Sequence, residues 1–334
     1  MNVPSRIILS RTDAIGDAVV TLSTAGWIKH HAPGTHVTVV ARRYAIPVWE
    51  HCAHADRLLV LEELREAGEE GAIEVLRTSG AGAIVHVFPR REVARWAKRA
   101  GIPRRIGTGR RWWHWLTCNE RPGFSRRWSP LHEAQLNIGL LEPFGLPAPA
   151  SLGELVPHLG FRVPPPSEKV GALLRHGKKR LVVHPLLGSG VGWGLPNFAS
   201  LMRLVDPGRW QVLVTGTASE AARYREALPL DLPHVTDTGG LLDLEEVIQL
   251  IGACDAFVSA STGPLHVAAA AGIRAIGLFS MRRPIFPSRW APLGTDAHAL
   301  VLDPGCAACA AGRACDCITR IPPGRVLGLL EPRT

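Results

Sequence analysis

V-S-A-S-T-G-P-L-H-V-A-A-A-A-G, residues 258–272, spells a strand end, a turn and a helix in succession. The run 255–259 (Asp-Ala-Phe-Val-Ser) is apolar enough to form a short buried strand. Ser261, Thr262, Gly263 and Pro264 then turn the chain, and the alanine-rich segment 265–271 is made of helix formers. Pro264 suits the first helical position, where an N–H is not needed, and Ser261 or Thr262 is a natural N-cap. The free N–H groups at such a helix start carry about half a positive charge and attract phosphate. His266 falls in the first turn, where it can add a donor, and Leu265 lies beside it. An ordinary capped strand-to-helix turn would be written with the same residue types, so the surrounding sequence has to decide.

With 334 residues the chain is long enough for two domains, each with its own core. Hydrophobic residues make up 46% and charged ones 20%, the composition of an ordinary soluble protein. The N-terminal sequence M-N-V-P-S-R-I-I-L-S-R enters a strand directly, with neither the apolar core nor the cleavage site of a signal peptide. No apolar run approaches the roughly 18 residues of a spanning helix. A cytoplasmic protein is expected, with contact at a membrane surface left open. Seven cysteines in such a chain argue against a disulfide framework.

The first βαβ unit begins with a strand at 6–10, a turn R-T-D-A-I-G-D (11–17), a helix at 18–31 and a strand at 37–40. The turn puts Asp13 and Asp17 at a helix start, with Gly16 between them; acids there also serve simply to complement the helix dipole. A strand at 57–61, a helical acidic segment at 62–78 and a strand at 83–87 follow. Residues 90–128 hold twelve Lys or Arg against two acids, a local net charge of +10, so the other 295 residues net −1. Five of the ten tryptophans (Trp96, Trp112, Trp113, Trp115, Trp128) share this window. Such a window can bind nucleic acid, meet an anionic lipid surface, or form a solvated face over core tryptophans.

Residues 157–167, with a proline triplet, read as a semi-rigid linker. Domains are therefore expected at 1–160 and 161–310, with a cysteine-containing tail at 311–334. The second domain repeats the first pattern: a strand at 180–184, a small-residue loop with Ser189 and Gly190, and a helix entered through Trp193. A strand at 210–215 leads into Gly216-Thr-Ala-Ser-Glu220, where the acid can serve the first turn of a helix at 221–228. Asp243-Leu-Glu-Glu246 is a capping box opening a helix at 244–252. A last strand is expected at 275–279, a loop at 280–290 and a terminal helix at 323–331.

These motifs resemble, in order along nearly the whole chain, those of glycosyltransferase family 9, the bacterial heptosyltransferase-like enzymes. The S-x-S-T-G-P-L-H-V-A-A-A-x-G stretch is similar to the family's donor-phosphate motif, with Ser261 where Asp is commoner. A-G-I-P-R-R-I-G at 100–107 and the helix start His132-Glu133 also match. The resemblance implies a GT-B fold, two Rossmann-like α/β domains whose strand ends face a shared cleft. It implies Asp17 as the base, and an acceptor site including Gly16, Arg90, Arg104, Arg105, Arg110 and Arg111 in the first domain. Ser189, Gly190, Gly216, Glu220, Leu242 and residues 261–266 are implied to hold the donor, with Glu220 on the ribose hydroxyls and Leu242 near the base. The family usually has a cation two residues before the Trp, where this chain has Val191; either another basic residue such as Arg282 or Arg283 substitutes, or the donor is gripped more weakly or differently.

The implied reaction is inverting, metal-independent transfer from a nucleotide-diphosphate sugar, ADP-heptose by resemblance, needing no cofactor. The implied acceptor is an anionic lipopolysaccharide-core or other envelope glycolipid, met at the inner membrane surface, and nucleic acid becomes a distant second partner. A Rossmann oxidoreductase is a further alternative, but no G-x-G-x-x-G follows either first strand. Cys306, Cys309, Cys315 and Cys317 are spaced C-x2-C-x5-C-x-C, which a structural zinc knuckle could use. The closing C-x-C is tighter than in zinc ribbons, so free or paired thiols are the favoured reading.

Overall fold

A computed structural model gives the architecture, describing residues 2–127, 129–187 and 191–331. The chain divides into two compact units, Met1–Arg162 and Val163–Thr334. The first is built on β1 (Arg6–Ser10), β2 (His36–Ala41), β3 (Arg57–Val60), β4 (Ala83–His86) and β5 (Arg104–Ile106), in the order β3-β2-β1-β4-β5. The second uses β6 (Lys179–His184), β7 (Trp210–Val214), β8 (Val235–Asp237), β9 (Ala256–Ala260), β10 (Arg274–Phe279) and β11 (Ala297–Val301), in the order β11-β10-β9-β6-β7-β8. Every pairing between them is parallel.

In each sheet the chain winds outward from the first strand and then returns to its other side. The order reverses between β1 and β4 in one unit and between β6 and β9 in the other. At such a reversal the loops leaving the carboxyl ends of neighbouring strands diverge and open a crevice, the usual ligand position in open α/β sheets. The central strands carry helices on both faces, so they read as unbroken apolar runs. Ile7, Ile8 and Leu9 of β1 and Leu181, Val182 and Val183 of β6 are all buried. These are two doubly wound α/β units, the GT-B fold class.

Local differences from the sequence reading have local causes. The first helix runs Ile15–His31, so Gly16 and Asp17 are in its first turn rather than ahead of it. The segment expected as one helix is two, Leu61–Glu66 and Gly68–Thr78, because Gly68 takes a left-handed φ of 71°. Part of the proline-rich stretch belongs to the first unit. Pro157 lies in the 3-10 turn Gly153–His158, and Phe161 bridges to Cys52. A Cβ at Gly26 would come within 2.0 Å of the His158 carbonyl oxygen, so only glycine lets the first helix seat that turn.

Residues 318–330 pack into the core of the second unit. The helix Pro323–Leu330 buries Val326 and Leu330 with Ile318 and Ile321 in the second core, and Trp193 Nε1 donates to Ile321 O at 2.8 Å. Among the described residues no helix is long and apolar enough to cross a membrane.

Candidate functional site

At the reversal point of the first sheet, β1 ends in Ser10 and delivers Arg11, Thr12 and Asp13 to the start of the helix Ile15–His31. Arg11 is 3% exposed, a burial that a guanidinium tolerates only when paired. It is paired three times. Its Nε reaches Asp13 Oδ1 at 2.8 Å, its Nη2 contacts Asp17 Oδ1, and its Nη1 lies 3.4 Å from Glu133 Oε1. Glu133 opens the helix Glu133–Gly139 and also pairs with Arg126, which donates to Asn137 Oδ1 at 2.9 Å. Asn137 Nδ2 donates to Thr21 Oγ1 at 3.1 Å, and Thr21 Oγ1 donates to the Asp17 carbonyl at 2.7 Å. The loop after β4 contributes Arg90, whose Nε and Nη2 donate to Thr12 Oγ1 and Thr12 O at 2.8 and 2.7 Å.

Asp17 is therefore held in place by a cation buried beneath it, with about 20% of its side chain open. Asp13 shares the same cation, and burial pushes its carboxyl above the usual aspartate range against the opposing pull of Arg11. Sequence reasoning singled out both acids but missed Arg11. Its significance comes from Glu133, which lies 122 residues away and was read only as part of a helix start.

Arg104 and Arg105, which the resemblance implied as acceptor residues, are both hydrogen-bonded within the first unit. Arg104 donates to both Glu120 oxygens at 2.7 Å and to the Asn2 and Pro143 carbonyls at 2.7 Å. Arg105 donates from Nε to Thr117 O at 2.7 Å and from Nη1 to Ile102 O. Both are committed to fixing β5 and the chain beside it. Arg110 and Arg111 are exposed instead, and Arg110 lines a shallow pocket with Trp115, Arg121 and Phe124. Trp112 and Trp115 are exposed, with Arg91 and Arg121 over their rings, while Trp96 is core; Trp128 lies outside the described residues. At least five cations of the basic window pair with carboxylates, among them Arg95 and Arg99 with Glu69 and Glu70. Of these, Arg95, Arg99 and Arg126 gain carboxylates from outside the window, and it is these that lower its charge below the sequence count.

In the second unit, β9 ends at Ala260 and the helix Gly263–Ala270 follows at once. Thr262 is the N-cap, accepting from the Leu265 N–H at 3.4 Å and linked to Ser259 Oγ at 2.9 Å. Pro264 has no N–H, so Gly263 keeps the first-turn amide that has no acceptor within the helix. His266 is buried, its ring edge-on to Trp290 at 6.4 Å between centroids, and so lies inside the fold rather than pointing outward. Ser261 is the residue of the turn that opens into a pocket of about 350 Å3, whose wall includes Leu187, Val191, Arg282, Arg283 and Ile318. Val191 thus shares a pocket with Arg282 and Arg283. Ser189 and Gly190 lie outside the described residues.

Beside this turn, β6 ends at His184, and β7 leads to Gly216 and the helix Ala218–Tyr224. Glu220 is first a capping residue: its Oε2 accepts from the Thr217 N–H at 2.8 Å and from Thr217 Oγ1 at 3.0 Å. Its other oxygen lies 4.0 Å from His184 Nε2. Burial holds His184 below the usual histidine range, against the pull of Glu220. Gly216 O accepts from Gly240 N at 2.9 Å, where Gly240 has a φ of 77°, and this joins the loop after β7 to the loop carrying the half-buried Leu242. The tail cysteines also converge, with all four sulfurs of Cys306, Cys309, Cys315 and Cys317 within 4.8 Å of one another.

Comparison with known proteins bears on the fold and the family. Residues 192–316 match the profile of Glycosyltransferase family 9 (heptosyltransferase). A Haemophilus influenzae protein named "Putative glycosyltransferase" is 23% identical over 309 residues, 88% of each chain. The structure of E. coli ADP-heptose lps heptosyltransferase II superposes with a TM-score of 0.76 at 20% identity, covering 98% of this chain and 97% of that one. E. coli heptosyltransferase WaaC with ADP gives 0.71 at 15% identity, covering 97% and 98%. In the sequence of its second unit and in its fold over nearly the whole length, the chain is similar to the heptosyltransferase-like enzymes of glycosyltransferase family 9, a family of sugar-transferring enzymes.

Proposed function

We propose that the protein transfers a sugar, with inversion and without a metal ion, from a nucleotide-diphosphate donor of the ADP-heptose kind to an anionic envelope glycolipid. One observation carries this reading. The helix start at Gly263, Ser261, the loop of Gly216 and Glu220, and the Arg282–Arg283 segment all follow carboxyl ends of strands of the second sheet. A helix N-terminus with adjacent guanidinium groups suits a departing diphosphate, whose charge grows as the glycosidic bond breaks. Glu220, with one oxygen free of the cap, suits ribose hydroxyls, which it would accept as hydrogen bonds. Similarity to E. coli ADP-heptose lps heptosyltransferase II favours ADP-heptose among such donors.

On the acceptor side, Asp17 takes the proton of the attacking hydroxyl as the new bond forms. Arg11 is its positioning residue: it fixes the carboxylate without occupying the exposed part of the group. A single acting carboxylate suits one displacement with inversion, since a double displacement needs a second as nucleophile. The test is nucleotide release by the purified protein across ADP-, UDP- and GDP-sugars with a lipopolysaccharide-core acceptor, in the presence and absence of chelator. Acceptor-dependent ADP release that survives chelation supports the reading. Asp17→Asn should bind ADP normally and lose about 10²–10⁴ in transfer rate. Normal turnover in that variant removes Asp17 from the chemistry and moves attention to Asp13.

A further inference from the structure

Between β11 and the helix Pro323–Leu330 the chain runs through residues 302–322 with only the four-residue helix Ala307–Ala310 as regular structure. Loops of this length without structure of their own are uncommon inside compact units. Yet this one has fixed duties. Ile318 and Ile321 are buried in the second core, Ile321 O receives Trp193 Nε1, and Thr319 O receives Asn197 Nδ2 at 2.6 Å. Something besides helix and sheet must hold it, and small or irregular segments commonly use a disulfide or a structural metal for this purpose.

We propose that Cys306, Cys309, Cys315 and Cys317 form a tetrathiolate zinc site that fixes this segment. Their sulfurs all lie within 4.8 Å of one another, with Cys306 to Cys315 at 3.5 Å and Cys315 to Cys317 at 2.9 Å. Four sulfurs at about 2.3 Å from one zinc ion stand roughly 3.8 Å apart, near the Cys306–Cys315 separation, so Cys315 and Cys317 spread on binding; a disulfide needs about 2.05 Å. All seven cysteines are free thiols here. The sequence argued against zinc because its C-x-C is short. In the fold that spacing closes the cluster: the chain turns at Asp316 and the Cys317 N–H donates to Cys315 Sγ at 3.3 Å. An amide donor to a ligating sulfur orients it and disperses its charge, as outer-shell partners do at metal sites.

Cys309 and Cys317 are buried and Cys306 and Cys315 half-buried, so the cluster is backed by protein on one side and reachable from the other. A set of four sulfurs with no carboxylate selects a soft, tetrahedral ion over magnesium or calcium. On binding, four thiols release four protons to solvent, four Zn–S bonds form, and the site carries a net charge of −2; nothing is oxidised or reduced. The role is structural. Cys317 is followed directly by Ile318, which lines the 350 Å3 pocket, so the metal fixes one wall of that pocket whatever the pocket binds.

The full-length protein, purified without chelator, should contain about one zinc per chain by plasma mass spectrometry. A mercurial reagent that titrates the four thiolates should release it. Exchange with cobalt should give the thiolate-to-cobalt charge-transfer band and the intense visible bands of a tetrahedral S4 set. Cys315→Ser with Cys317→Ser should lose the metal entirely, and the cobalt spectrum of the unaltered protein decides the matter if that variant does not fold. Trace zinc with no cobalt spectrum and four freely reactive thiols overturns the proposal. So do two disulfides in protein kept from air, or iron in place of zinc.

Discussion

His86, the last residue of β4, is 1% exposed, and neither ring nitrogen has a hydrogen-bond partner. Complete burial, with His114 and Arg105 nearby, pushes its imidazole down to about 3 from an ordinary 6.5. The folded protein therefore refuses a proton that the unfolded chain accepts. The stability from this residue is fully present above pH 6.5 and is lost as pH falls toward 3, at about 1.4 kcal/mol per pH unit. Denaturant titrations of wild-type and His86→Asn protein at pH 6 and pH 4.5 should show the wild type losing stability more steeply by that slope. Parallel loss in both would mean that His86 is protonated in the folded state. At this scale the sequence was readable where a residue's partners are close in the chain. Asp17 and the caps at Thr262 and Asp243 are of this kind. Arg11 was missed although Asp13 and Asp17 lie close to it in the chain, because what marks it is its burial, which with Glu133 comes only through the fold.

Helices and inner strands were legible because their signals are local. The helix Leu244–Gly252 has the ends that its capping box and apolar spacing set, and β9, β6 and β1 fall within a residue of the apolar runs. Three edge strands gave no such signal. β5 is Arg-Arg-Ile, β8 is Val-Thr-Asp, and β11 alternates little in burial. An edge strand is half solvated and short, so selection for burial writes little into it. The helix Ala218–Tyr224 supplies a prediction at this scale, because Glu220 serves both its cap and the proposed ribose site. Glutamine also completes a capping box, so Glu220→Gln should keep the melting temperature while weakening ADP binding by about 1–3 kcal/mol in calorimetry. Glu220→Ala should lower both. Unchanged ADP affinity in Glu220→Gln would reduce this glutamate to a cap.

For the molecule as a whole, the sequence showed a concentration of positive charge but not how much of it the fold neutralises. Glu69 and Glu70 are more than 20 residues from the arginines they meet, so no window of sequence could display the pairing. What remains exposed includes Arg110 and Arg111. If these draw in an anionic acceptor, replacing either with Ala should raise the acceptor KM several-fold without moving the donor KM. The effect should shrink with added salt, since exposed charges are screened over about 8–10 Å at physiological ionic strength. Arg104→Ala should behave differently, lowering thermal stability through the loss of Glu120. Tight oligonucleotide binding with a steep salt slope, and no change in acceptor KM, would return the window to the nucleic-acid reading.

The helix Pro323–Leu330 has a consequence for how the second unit folds. Its Val326 and Leu330 share one core with Leu181 of β6, Val212 of β7 and Val258 of β9, far back along the chain. Such non-local contacts form late, because the loop between them must close before they give any return. Until that helix docks, the apolar faces of β6, β7 and β9 stay open to water and are the folding chain's point of vulnerability to aggregation.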